Sequence, residues 1–231
     1  MTLKSFGCSF IFGTDLSDCD SVFKASQLTW PALLAQYLER PYECHASPGS
    51  GNLQILERVL NQIPGSTSLD LFVIGWTWID RFDYYDSAWN PRQKLTPWNT
   101  IMPIDEDDLA RTYYRSLHSE YRDKFTSLNY VKLAIDTLDQ QGIPFVMTFM
   151  DELMFDQRWH VTPGVQLLQD HTRLRMTDFQ GRSFLGWSRA HGFVESPTWH
   201  PLEEAHSAAA DYMINIFDKQ KIIDPVQQVR V

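Results

Sequence analysis

The chain has 231 residues, a formal net charge of -9, 43% hydrophobic and 21% charged residues. This is the composition of a folded globular protein with room for one large core. It excludes three classes: a basic nucleic-acid binder, a protein spanning a bilayer through a run of about 18 apolar residues, and a disulfide framework, because Cys8, Cys19 and Cys44 show no paired spacing. The first residues carry a single lysine and no long apolar stretch, so a signal peptide is not expected. The expected location is cytoplasmic, with a virion as the other destination that needs no signal.

Leu3–Ser9 reads as a short buried strand, followed by a loop at Gly13-Thr14-Asp15. Thr29-Trp30-Pro31 starts a helix, with Thr29 as N-cap and proline in the first turn. Pro41–His45 is a short second strand. A tight loop, Pro48-Gly49-Ser50-Gly51-Asn52, leads into an amphipathic helix carrying Leu53, Leu56, Val59, Leu60 and Ile63. Leu69–Gly75 is almost continuously apolar, as in a strand buried on both faces. Residues 77–118, rich in Trp, Tyr, Asp and Pro, break the pattern and read as an insertion. A long helix over 119–141 ends at Gly142, and Ile143–Phe149 forms another buried strand. A second insertion covers 151–180, a helix is expected near 182–191, and a last one over 203–219. Alternating strands and helices predict a single domain over 1–231, a three-layer α/β/α sandwich with a mainly parallel, flavodoxin-like sheet.

On such a sheet, ligands bind beyond the C-terminal strand ends. Ser9 is there, where its hydroxyl can act as nucleophile and its N–H can bind an oxyanion. In the second loop, Gly49 and Gly51 let backbone approach a ligand, and Asn52 offers an amide donor or a helix cap. The lysine of a phosphate-binding P-loop is absent. Thr77 lies just past the third strand, with a hydroxyl for an oxyanion or substrate. Trp76 and Trp78 offer aromatic platforms or packing, and Arg81 pairs with a substrate anion or with Asp80 or Asp83. Near the end, Pro201 holds His200 out of the last helix, where it can serve Ser9 as general base. His200 and His206 match no strong zinc motif, so no metal or cofactor is expected.

Together these pieces resemble the SGNH, or GDSL-like, hydrolase superfamily, in the branch that begins Gly-Cys-Ser-Phe. The blocks are Gly7-Cys8-Ser9-Phe10, Pro48-Gly49-Ser50-Gly51-Asn52, Gly75-Trp76-Thr77-Trp78 and His200-Pro201. The resemblance implies hydrolysis through an acyl-serine, with Ser9 as nucleophile, His200 as base, and oxyanion donors from Ser9 and from Gly49 or Gly51. Thr77 stands nearest to the family's asparagine donor, with Asn52 as its replacement. The family's acid falls two or three residues before the histidine, where this chain has Pro197 and Thr198. Glu195 is the nearer candidate acid, Asp15 the remoter one, and a backbone carbonyl the third option.

The leading functional reading is a serine esterase acting on a small-molecule or glycan ester, such as a sugar O-acyl group, with no nucleic-acid or membrane partner. The second is a catalytically degenerate member used for glycan binding or assembled into a larger particle such as a phage virion. A third is chemistry at Cys8, whose side chain alternates away from that of Ser9.

Overall fold

The computed structural model describes residues 1–21, 23–88 and 96–220. Four parallel strands form the central sheet in the order β2-β1-β3-β6: β1 Leu3–Phe6, β2 Tyr42–Cys44, β3 Leu71–Trp76 and β6 Phe145–Phe149. Between β3 and β6 an antiparallel pair, β4 Phe82–Tyr85 and β5 Trp98–Ile101, stands apart from the sheet. The helices are α1 Ser9–Phe12, α2 Trp30–Tyr37, α3 Asn52–Gln62, α4 Asp108–Ser116, α5 Glu120–Gln141, α6 Pro163–Arg173, α7 Phe184–Ala190 and α8 Glu203–Gln220.

The pleat sorts β3 between two cores. Leu71 and Val73 join Trp30 and Leu34 of α2 and Ala209 and Met213 of α8 in one hydrophobic cluster. Phe72, Ile74 and Trp76 join Ile55 and Val59 of α3 and Leu128 and Val131 of α5 in the other. Helices therefore cover both faces, giving the three layers that the alternating pattern predicts. Each fully buried Leu, Ile or Phe contributes about 1.5–3 kcal/mol, which explains why β3 tolerates no charge within it.

The ends of the elements carry the informative differences. β1 stops at Phe6, because Cys8 is already the N-cap of the one-turn α1 that Ser9 opens. β3 extends instead to Trp76, which pairs with Phe149. The 77–118 insertion holds β4, β5 and α4 within its described part, and residues 89–95 lie outside the described residues. The 151–180 insertion contains α6, started by a Thr162 cap and Pro163. Gly142 ends α5 at φ 64°, the left-handed cap expected there.

The chain runs from β1 outward to β2, then crosses back to β3 and on to β6. The order reverses between β1 and β3, and a crevice opens beyond their C-terminal ends, the place where ligands settle on doubly wound sheets. Ser9 and residues 77–81 follow those two strands. No helix among the described residues is long and apolar enough to cross a membrane.

Candidate active site

The Ser9 turn is shaped by two glycines. A Cβ at Gly7 would lie 2.5 Å from Ile11 Cγ1, and one at Gly75 would lie 2.7 Å from the same atom. Their bare backbones let α1 sit down on the strand ends, with Ile11 completely buried. Ser9 is the first residue of α1, at the positive end of the turn. Its N–H makes no hydrogen bond among the described residues. Cys8 is buried in the core, a free thiol turned away from the site.

Ser9 Oγ lies 2.9 Å from Nε2 of His200, and Nδ1 of His200 lies 2.7 Å from Oδ2 of Asp15. An ionised carboxylate can only accept, so Nδ1 carries the proton and Nε2 accepts from the serine hydroxyl. Asp15 is gripped by two further hydroxyls: Ser196 donates at 2.7 Å, and Thr198 donates through a short bond. Partial burial works to raise the Asp15 pKa, but the hydrogen bonds from Thr198, Ser196 and His200 outweigh it and hold the carboxyl below its ordinary range. The His200 segment is pinned as well. Ser196 N–H donates to His200 O at 2.9 Å, and the imidazole packs against Phe10 with ring centroids 4.9 Å apart. Trp199, just before it, has φ 65°, a conformation costly for a bulky side chain and held here by its N–H to Ser196 O at 2.9 Å.

This geometry corrects the expectation for the acid. Glu195 is not at His200; Arg189 holds it bidentately at 2.8 and 3.0 Å. The carboxylate on the imidazole belongs to Asp15, in the loop that follows the serine turn. The fixed spacing before the histidine hid it, because Thr198 fills that position and donates to the acid it replaces.

The other expected donors divide sharply. Gly49, at φ 79°, lines the cavity beside Ser9, and its N–H has no hydrogen-bond partner among the described residues. Gly51 N–H instead donates to Asp83 Oδ1 at 2.9 Å, so it faces a buried carboxylate. Asn52 is buried as a brace for the next loop: its Oδ1 accepts from Thr77 N–H at 2.8 Å, and its Nδ2 donates to Thr77 O at 3.3 Å and Ser127 Oγ at 3.2 Å. Thr77 is fully buried, and its hydroxyl has no partner among the described residues and does not line the cavity. Trp76 belongs to the core, donating through Nε1 to Met147 Sδ at 3.5 Å. Trp78 and Arg81, one pleat and one turn further on, do reach the cavity.

That cavity has a volume of about 550 Å³ and contains Ser9 and His200 in its wall. Phe10, Trp78, Leu185 and the exposed Trp199 make it largely apolar, with Asp80, Arg81 and Arg189 as charged members. His206, the other histidine of the last block, is elsewhere. Its Nδ1 accepts from Trp30 N–H at 3.1 Å at the start of α2, and burial pushes its pKa down to about 3, so it stays neutral. Among the described residues no group of three or more His, Cys, Asp or Glu is arranged to hold a metal ion.

No protein-family model matches the chain, and no curated protein sequence matches it significantly. Solved structures do share its fold. A member of the lipolytic G-D-S-L family from Veillonella parvula superposes with a TM-score of 0.54 at 13% identity, covering 94% of this chain and 98% of that one. The psychrotrophic esterase EstA from Pseudoalteromonas sp. gives a TM-score of 0.51 at 11% identity, covering 95% and 97%. A carbohydrate esterase whose active site displays divergent catalytic and non-catalytic binding functions gives 0.51 at 15% identity, covering 94% and 68%. The chain therefore has the α/β/α fold seen in SGNH hydrolases.

Proposed function

We propose that this chain is a serine esterase of the SGNH type, in a Gly-Cys-Ser-Phe variant whose last block has lost its aspartate and whose first loop supplies one. The observation that carries this reading is the unbroken line Ser9–His200–Asp15, open to an apolar cavity that also contains Gly49. His200 Nε2 takes the Ser9 proton as Oγ attacks the ester carbonyl. Asp15 keeps the imidazole in the right tautomer and stabilises the imidazolium that forms. The N–H groups of Ser9 and Gly49 hold the tetrahedral oxyanion. His200 then protonates the departing alcohol, leaving acyl-Ser9. Water, deprotonated by the same imidazole, releases the acid and restores the serine.

Trp78 and Trp199 offer faces for a sugar ring, and a carbohydrate esterase shares the fold, so a carbohydrate O-acyl ester is the proposed substrate. The non-catalytic reading, for glycan binding or as a virion component, rests on the absent aspartate and on the threonine at position 77; Asp15 on His200 speaks against the first ground, and Thr77, buried away from the cavity, leaves the second in place. The test is labelling by a fluorophosphonate together with hydrolysis of 4-nitrophenyl acetate. Wild type is expected to be labelled at Ser9 and to turn over; a folded protein that does neither defeats the proposal.

A further inference from the structure

Arg81 lines the cavity with one of its five N–H donors hydrogen-bonded among the described residues. Its Nη1 donates to Ser50 O at 2.9 Å, tying it to the loop of Gly49, and its guanidinium carbon lies 4.8 Å from the centre of the Trp78 ring. These two contacts fix the plane of the group. Nε and Nη2 have no protein partner among the described residues, and no carboxylate lies within 4.0 Å. That free edge carries two parallel N–H donors, the fork that matches a carboxylate. Arg189, on the same cavity wall, uses the equivalent edge for Glu195 and shows the geometry already filled.

A half-buried guanidinium whose fork edge meets no carboxylate is free to take one from a ligand. The neighbouring wall carboxylate is Asp80, whose pKa burial pushes upward, with Arg81 only partly opposing the rise. Asp80 feels the Arg81 charge but makes no ion pair with it within 4.0 Å, so the Nε–Nη2 edge stays open on the geometry. A fixed cation facing the chamber of Ser9, on a platform of Trp78, is a recognition element for one charged group of the substrate.

We propose that Arg81 receives a carboxylate carried by the ester substrate, so that the enzyme selects esters with an anionic acyl or alcohol part. This rests on the hydrolase reading of Ser9. The test measures kcat/KM on two matched pairs, each value corrected for the ester's hydroxide-catalysed rate. Mono-4-nitrophenyl adipate against 4-nitrophenyl hexanoate probes the acyl side; 4-acetoxybenzoate against its methyl ester probes the alcohol side. In one pair the charged member is expected to be favoured about tenfold or more. Arg81→Gln should lower that ratio about tenfold, and Arg81→Lys should retain part of it. Ratios near one in both pairs, or a ratio that survives Arg81→Gln, overturn the proposal. If Ser9 resists the fluorophosphonate and no ester is hydrolysed, the esterase reading fails separately. Calorimetry of adipate and 4-hydroxybenzoate binding then decides: binding weakened about fivefold or more by Arg81→Gln supports the carboxylate site, and equal or absent binding overturns it.

Discussion

Two segments leave the sheet side by side and share a grammar. Residues 7–15 follow β1, and residues 75–83 close β3 and continue beyond it. Each begins with a glycine that backs onto Ile11, and each reaches an aspartate eight residues later. Their destinations are opposite. In the first, the hydroxyl of Ser9 faces a cavity and Asp15 holds a histidine. In the second, the hydroxyl of Thr77 is sealed in the interior, and Asp83 accepts from Gly51 N–H, Gln54 N–H, the Gln54 amide and the Thr100 hydroxyl. The cause is where the strand stops. β1 ends before its glycine, so the chain turns into a helix at the serine. β3 runs through its glycine to Trp76, which delivers Trp76 to the core and Thr77 to the brace of Asn52. The first segment presents the proposed nucleophile and acid to the cavity, and the second holds the loops that frame it.

The largest effect that tests this division is at Ser9. Ser9→Ala should lower kcat at least about 10⁴-fold, because the oxyanion donors alone retain only a small part of the catalysis. Circular dichroism and thermal melting should be nearly unchanged. Retention of more than a tenth of the activity would place the nucleophile elsewhere.

The paired aspartates separate activity from stability. Asp15→Asn should cost about 10³- to 10⁴-fold in kcat, since an amide presents the wrong partner to Nδ1, with a smaller fall in Tm than Asp83→Asn. Its carboxyl is held below the ordinary value of 3.8, so its contribution to stability is complete above that pH and is lost as pH falls through the lower folded value. The asparagine variant should lack that acid loss. Asp83→Asn should do the reverse. It leaves buried donors unsatisfied at a cost of about 2–4 kcal/mol, lowering Tm by about 5–15 °C, with a smaller loss of activity per folded molecule. Glu195→Gln, which leaves Asp15 in place, should change kcat less than about threefold, and a loss as large as that of Asp15→Asn would return the acid role to Glu195.

The two tryptophans sharpen the boundary between core and cavity. Trp76→Phe should destabilise the protein by about 1–3 kcal/mol in urea unfolding, since it leaves a void between β3 and α5, with KM nearly constant. Trp78→Ala should raise KM for esters while changing stability less. The opposite assignment would mean that β3 ends earlier than Trp76.

What the sequence made legible follows the same line. Continuous apolar runs exposed β3 and β6, Thr29-Trp30-Pro31 exposed the start of α2 and Gly142 the end of α5, and the alternation of elements gave the three-layer sandwich. Ser9, Gly49 and His200 were readable because each stands beside a residue that forces the backbone: a strand-ending glycine, a loop glycine, a proline. The carboxylate beside His200 was readable only as the remoter of two candidates, because Asp15 meets His200 across 185 residues, and only folding brings together the ends of β1 and the last loop. The donors failed for a subtler reason. Gly51, Asn52 and Thr77 are polar or small residues at strand and helix ends, which suits an oxyanion site and a loop brace equally. For Thr77, one residue of strand length decided between the two, and element limits are where periodicity says least.

The smallest expected effect is the most discriminating for that argument. Thr77 Oγ1 is buried and has no partner among the described residues, so it contributes desolvation cost without a compensating bond. Thr77→Val keeps the shape, the branched Cβ and the backbone N–H that Asn52 accepts, and removes only the hydroxyl. Stability in urea unfolding should stay the same or rise by up to about 1 kcal/mol, and kcat/KM should remain within about threefold. A fall in kcat of about 10²-fold or more, the size seen when an oxyanion donor is removed, would make Thr77 a third donor after all. The two segments would then be alike in function as well as in grammar, and the difference would have to lie in a rotation of Thr77 on binding substrate rather than in the length of β3.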